Sequence, residues 1–460
     1  MSAHEKFQFA SLEALESKIQ ALHVNIRLSK DLAVLSTPQR VGVKTAPNRF
    51  AVLPMEGCDS ARDGSPTDLV FRRYERFAAG GAGLLWWEAN AVVEEGRANE
   101  LQMMLTRDNL GQFVDLVKRA NASAENANGS ENRPLHILQL THSGRYSRPA
   151  GHKAAPIVPQ RDPILDARSG VTSDACICTD DYLDDLVAKY VQSALLAQEA
   201  GFDGVDIKAC HRYLISELLA SHTRPGKYGG SFENRIRFLR TVVEEVRRAA
   251  GNDFIVACRF NVFDAHPYPY GFGGDTSDFW TFRPEEPMAL VRMLCERGVA
   301  LLSNSAGNPY YIYPQVTRPF DTSSQGIPTP QEHPLESIAR LFDFTRHIQN
   351  AAGDVPVVGN GYSWLRQFLP YAGAANLLEG ACRFVGLGRQ SFAYPDLPRD
   401  VLRGAGAQAD KVCITCSKCT QIMRDHGRTG CVVRDSQIYA PLYREYRQKA
   451  EERAAHLTHS

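Results

Sequence analysis

The sequence predicts a (β/α)₈ barrel with an N-terminal helical arm and a short C-terminal cysteine segment. Eight short apolar runs alternate with amphipathic stretches along most of the 460-residue chain. Three of the joins repeat one glycine-stopped formula, and no internal repeat, low-complexity tract or long block of like charge points to another organisation.

The arm, residues 1–40, holds an amphipathic helix over 11–22 and then a strand-like stretch suited to plugging a barrel floor. The barrel occupies 41–403. Buried strands are predicted at 49–55, 84–89, 135–140, 204–209, 254–260, 299–305, 355–360 and 384–388. Between them, apolar residues at helical spacing mark 68–79, 109–120, 180–200, 234–250, 284–297, 335–351 and 363–372. At Ala79-Gly80-Gly81, Ala200-Gly201 and Arg297-Gly298 a glycine ends a helix just ahead of a buried strand. Such alternation favours a closed barrel over a doubly wound sheet. From residue 404 the chain opens on Gly-Ala-Gly-Ala, carries Cys413, Cys416, Cys419 and Cys431, and ends in a charged helix over 443–455. This stretch, 404–460, reads as a cluster-binding appendage rather than an independent domain.

Lys plus Arg number 52 against 52 Asp plus Glu, so the chain lacks the charge excess of a dedicated nucleic-acid binder. No run approaches the roughly 18 uncharged apolar residues of a membrane span. The polar first nine residues lack a signal peptide's apolar stretch, which implies a cytoplasmic, reducing location. Disulfides are therefore not expected among the 11 cysteines.

In a barrel the chemistry sits at the C-terminal strand ends, with phosphate commonly held after the seventh and eighth strands. Those strands run into Gly359-Asn360-Gly361 and Gly386-Leu387-Gly388-Arg389, whose amides and guanidinium suit a phosphate cradle. The glycines alone would also serve tight turns. The fourth strand exits through Asp206-Ile207-Lys208-Ala209-Cys210-His211-Arg212-Tyr213. The four C-terminal cysteines have the spacing C-x₂-C-x₂-C-x₁₁-C, which by itself suits either a cubane iron–sulfur cluster or a tetrahedral zinc.

These motifs, with Asn48-Arg49-Phe50 through Pro54-Met55, Gln139-Leu140-Thr141-His142-Ser143-Gly144-Arg145 and Tyr228 to Arg235, resemble the Old Yellow Enzyme family of FMN-dependent oxidoreductases over roughly residues 40–400. The cysteines resemble those of the branch that includes 2,4-dienoyl-CoA reductase and trimethylamine dehydrogenase, which implies a [4Fe–4S] cluster on Cys413, Cys416, Cys419 and Cys431. Both relatives continue into a nucleotide-binding region beyond the cluster. This chain stops at Ser460, so an external donor is expected: NAD(P)H, a reductase or a ferredoxin-like protein.

The resemblance implies FMN contacts from Pro54, Met55, Ala89, Gln139, Arg259, Asn360, Gly361, Gly388 and Arg389. Gln139 would bond the flavin pyrimidine, and Arg259 would lie by its N1 and O2 edge, where a cation favours the reduced form. Glu56 stands where relatives often carry Thr or Cys; it either meets the flavin or points away. Lys208 and His211 stand where relatives present two neutral donors to a substrate carbonyl, and Tyr213 stands at the proton donor. An ammonium beside an imidazole would favour an anionic oxygen, whereas Lys208 could instead pair with Asp206. The implied function is hydride transfer between flavin and the activated C=C bond of a small anionic or carbonyl-bearing substrate, with electrons entering through the cluster. The rival readings are an amine dehydrogenase or demethylase and a non-catalytic electron relay. Neither nucleic acid nor membrane is an expected partner, and a homo-oligomer is compatible.

Smaller expectations complete the reading. One of Trp86 and Trp87 should face the barrel interior, either shaping the pocket or filling the barrel. His142 and Arg145 serve structure or an anionic substrate, residues 263–274 form a long loop suited to a lid, and Cys58 lies close to the flavin motif.

Overall fold

The computed structural model describes residues 3–309 and 316–458. Eight parallel strands close into a barrel: β1 Phe50–Val52, β2 Leu84–Ala91, β3 Leu135–Thr141, β4 Gly204–Ile207, β5 Ile255–Phe263, β6 Leu301–Ala306, β7 Val357–Gly359 and β8 Phe384–Leu387, with β8 hydrogen-bonded to β1. Each expected strand is present. Several are shorter at their C-terminal ends than the apolar runs, because there the chain leaves the ladder to line the barrel mouth.

The floor is closed by a hairpin, Gln39–Val41 paired with Lys44–Ala46. Its buried Val41 and Ala46 join Ala51, Leu84, Trp86 and Ile137 in one apolar plug inside the barrel. The hairpin therefore spans the boundary expected at residue 40. The arm helix, Leu12–Ala21, is capped by Ser11 and buries Leu12, Leu15 and Ile19 in the outer core. Phe7 meets Trp364 edge-on, with ring centroids 5.3 Å apart, so the arm packs on the outside of the barrel.

Trp86 faces the interior and donates to Asp206 Oδ2 at 2.8 Å. Trp87 faces outward and stacks on Tyr74 of the helix Asp68–Ala79, with centroids 3.6 Å apart. A register shift between Trp87 and Ala89 leaves Glu88 as the bulged residue of β2. Glu88 thus also meets that helix, bonding Arg73 and Tyr74 while accepting the Gly57 amide at 2.7 Å. Arg73 in turn grips Asp59 through both of its terminal nitrogens. The bulge and this buried ion cluster fix the chain from Gly57 to Asp59, just past β1, where the barrel mouth begins.

The C-terminal segment folds back onto the same helix. Arg72 and Arg76 both bond Asp435 at 2.7 Å, and the Thr429 amide donates to Gly57 O at 2.6 Å. The closing helix, Ser436–Thr458, starts seven residues earlier than expected and carries Pro441 inside it. Among the described residues no helix is long and apolar enough to cross a membrane.

Candidate active site

The C-terminal strand ends surround a cavity of about 1370 Å³, counted to its open mouth. Pro54, Met55 and Glu56 line it from the end of β1, Gln139 from β3, Lys208, His211 and Tyr213 from the β4 exit, and Arg259 from β5. Asn360, Gly361, Gly388 and Arg389 face them from β7 and β8. Of the barrel residues expected around a flavin or substrate, Ala89 alone lies elsewhere. It is buried in β2, where its carbonyl accepts Gln102 Nε2 at 3.2 Å.

At the base of the cavity Asp206 organises its neighbours. Its carboxylate accepts from Gln139 Nε2 at 2.6 Å, Trp86 Nε1 at 2.8 Å and the Arg259 amide at 2.7 Å. Burial nevertheless outweighs these bonds and pushes its pKa up to about 6. Gln139 is thereby oriented with its carbonyl and second N–H still available.

Lys208 does not pair with Asp206. Its Nζ donates to Glu56 Oε1 at 3.1 Å and lies 4.0 Å from the Tyr213 ring centroid. Glu56 therefore turns into the cavity, and its charge and that of Lys208 offset each other. His211 is held neutral, because burial together with nearby Arg259, Lys208 and Arg318 drives its pKa well below the usual imidazole value. The ammonium and imidazole expected to favour an anionic oxygen are thus a compensated ammonium and a neutral imidazole.

The backbone that presents these groups is unusual. His211 and Arg212 both take positive φ, 64° and 59°, which non-glycine residues adopt only when the surroundings enforce it. Enforcement comes from Arg212, buried against Asp264 at 2.9 Å and against Asp162 and Glu217 at 3.4 Å. Arg145 completes this network through Glu217 and Asp166, each at 2.6 Å. Arg145 accordingly serves the turn under His211 and Tyr213 and does not line the cavity. His142 is likewise structural: it bonds Tyr182 Oη at 2.8 Å and accepts the Gly144 amide, and burial pulls its pKa down to about 3. The 263–274 loop packs onto the same network through His266 and Asp162, 2.8 Å apart, and lends the cavity no residue. Cys58 is buried, with Asn99 Nδ2 at 3.2 Å from its sulfur.

The β7 and β8 side is built to receive something. Gly361 has φ 95°, which turns the chain sharply at the β7 exit. A Cβ on Gly388 would meet only Met55 Sδ, at 3.6 Å, so the space above this glycine is open. Arg389 is buried and gives Nη2 to Pro319 O at 2.6 Å, but its Nη1 has no hydrogen-bond partner among the described residues. Arg259 Nε and Asn304 Nδ2 are also unsatisfied, and both residues line the cavity. Buried donors without partners are costly. Donors of this kind around a glycine-lined recess fit FMN: Gly388 and Arg389 suit its phosphate, and Gln139 and Arg259 its pyrimidine edge.

Cys413, Cys416, Cys419 and Cys431 wall one small apolar pocket with Phe392, Val432 and Arg389. Arg389 and Cys419 line the large cavity as well, so the two spaces share a wall. Burial pushes Cys413 up to about 12 and raises Cys419 and Cys431, while Arg389 pulls Cys413 and Cys419 the other way. Among the described residues no group of three or more His, Cys, Asp or Glu side chains is arranged to hold a metal ion. Four thiols spread around an apolar space, next to a guanidinium, fit a multi-iron cluster.

Sequence reasoning missed Asn304, Arg318 and Arg424, all of which line the cavity. Asn304 lies inside a predictable strand, Arg318 belongs to a segment without a motif, and Arg424 falls between the third and fourth cysteines, whose spacing gives it no role. Only their place in the folded chain reveals them.

The sequence profile of the NADH:flavin oxidoreductase / NADH oxidase family matches residues 34–272. The chain belongs to this family. A family relative, an NADH oxidase of Thermoanaerobacter brockii, is 28% identical over 384 residues, which cover 82% of this chain and 52% of that protein. The chain thus spans about half the length of that relative. A solved structure of 2-naphthoyl-CoA reductase with 2-naphthoyl-CoA superposes with a TM-score of 0.68 at 21% identity, covering 87% of this chain and 57% of that one. An old yellow enzyme homologue from Zymomonas mobilis superposes with a TM-score of 0.60 at 24% identity, covering 82% and 94% of the two chains. These likenesses place the barrel among Old Yellow Enzyme folds.

Proposed function

We propose that this family member is an ene-reductase-like, FMN-dependent oxidoreductase acting on the activated C=C bond of a small carbonyl-bearing substrate, with electrons from an NAD(P)H-type or protein donor entering through a [4Fe–4S] cluster. The observation that carries the reading is the meeting of Lys208, His211 and Tyr213 with the flavin-suited groups Gln139, Arg259, Gly388 and Arg389 in one cavity. When bound, FMN supplies the hydride chemistry.

This chain's residues bind, orient and hold protons. His211, neutral, and Lys208, compensated by Glu56, are donors with little net charge, which suits a carbonyl oxygen better than a carboxylate. Their bonds strengthen as negative charge develops on that oxygen. Tyr213, buried beside the Lys208 ammonium, holds the proton for the α-carbon. Asp206 fixes Gln139 at the cavity base, and Cys419 places a ligand of the cysteine pocket at the cavity wall.

The test is anaerobic reoxidation of the pre-reduced protein by an α,β-unsaturated ketone, compared with Tyr213→Phe. The reading expects reoxidation that slows by roughly 10² to 10⁴ in the variant with ligand binding little changed. Equal rates in the two proteins, or reduction of the oxidised protein by simple amines, would overturn it.

A further inference from the structure

Arg318 is used by none of the roles above. It follows the β6 exit, lines the large cavity half-buried, and gives Nη2 to Thr420 Oγ1 at 2.9 Å, one residue past Cys419. The charged groups acting on it most are Arg389, Cys419, Arg424 and Arg259, none of them a carboxylate. Burial, first of all, and the charges of Arg389, Arg424 and Arg259 push its pKa down to about 9, while Cys419 pulls it the other way.

Guanidinium groups gathered in a poorly solvated space repel one another strongly unless anions sit among them. One such anion is the flavin phosphate, which suits Arg389. That leaves Arg318, tied to the residue after Cys419 and attracted to the Cys419 sulfur. Four thiolates around an iron–sulfur core form the second concentration of negative charge this wall can face.

We infer that Arg318, on the flavin-cavity side and bonded to the residue after Cys419, is a positioning residue that sets the potential of the cluster in the four-cysteine pocket. This rests on the FMN and cluster reading above. One-electron reduction adds one negative charge to the cluster, and a fixed cation nearby favours the reduced form. Arg318 therefore raises the cluster's midpoint, and because the wall is enclosed, salt screens the effect little. A cluster held at higher potential draws and retains electrons beside the flavin.

Anaerobically prepared wild-type, Arg318→Gln and Arg318→Lys proteins would be assayed for iron and FMN, then titrated with dithionite while the reduced-cluster EPR signal is followed. The expected result is equal iron and FMN in all three. At the wild-type midpoint, the ratio of reduced to oxidised cluster should fall on the order of tenfold in Arg318→Gln and change little in Arg318→Lys. An unchanged midpoint in Arg318→Gln at full iron content overturns the inference. Loss of FMN with an unchanged midpoint also overturns it and makes Arg318 a phosphate clamp. FMN without iron in the wild type overturns both the inference and the cluster reading, but leaves the flavin reading standing.

Discussion

Glu56 and Lys208 together decide which oxygen the cavity accepts. With the pair intact the ammonium is already compensated at 3.1 Å, so a carboxylate ligand must compete with Glu56 for it. Glu56→Gln removes the competitor, and binding of a small carboxylate or phenolate, followed by isothermal titration calorimetry, should tighten about tenfold or more while a neutral enone changes little. Loosened carboxylate binding would show that Glu56 does not oppose anions. Lys208, His211 and Tyr213 were legible in the sequence because the stretch after one strand resembles the family's pattern there. The partner of Lys208 was not, because Glu56 lies 152 residues away and only barrel closure brings the two together. Asp206 carries a pH signature at the same scale. Its folded pKa of about 6 stands above the roughly 3.9 of an unfolded aspartate, so the folded chain takes up this proton first. The charged form costs stability above pH 6, and that cost is relieved as pH falls from 6 towards 4. Wild type should therefore gain melting temperature relative to Asp206→Asn between pH 7 and pH 5, and a constant difference across that window would mean that Asp206 is already ionised at no cost.

Among the elements, the eight strands were legible because each is a short apolar run stopped by glycine or polar residues. What escaped were features that apolar periodicity does not encode. The helix Leu110–Asn128 runs eight residues past its expected end because its last two turns are polar and bury only Ala124. The bulge at Glu88 and the positive-φ turn at His211 depend on ion clusters assembled from distant segments. The β8 exit shows how an element can be read correctly while its neighbourhood remains hidden: Gly388-Arg389 was visible, but its contact with Pro319 was not. Arg389→Ala removes a donor with an unfilled Nη1 and should weaken FMN retention, measured by flavin release on dilution, by about 10- to 100-fold, the worth of one charge-assisted bond. Arg389→Lys, which keeps the charge, should lose less. Unaltered retention in Arg389→Ala would remove Arg389 from the phosphate site.

For the whole molecule the question is whether barrel and cysteine segment depend on each other. The sequence suggested an appendage, with every flavin contact on the barrel. The folded chain is more entangled, because Cys419, Met423, Arg424 and Thr429 form part of the cavity wall. Yet the segment's attachments do not run through its sulfurs. Asp435 holds Arg72 and Arg76, Thr429 bonds the Gly57 carbonyl, the Asp321 amide donates to Thr415 O at 3.1 Å, and Arg424 gives Nη2 to Pro309 O at 2.7 Å. Cys416 lines the cysteine pocket but not the large cavity. Cys416→Ser should therefore cost the protein most of its iron, from about four per chain in the wild type, while FMN content and the melting temperature fall only slightly. Asp435→Asn should do the reverse in kind. It leaves the thiols intact but strips two arginines of a partly buried partner, and should loosen the wall and lower FMN retention before it lowers iron. Iron analysis and flavin absorbance on the two variants separate these outcomes. If Cys416→Ser loses its FMN together with its iron, the cluster itself is what holds the cavity wall in place, and the polar docking contacts are too weak to do so alone.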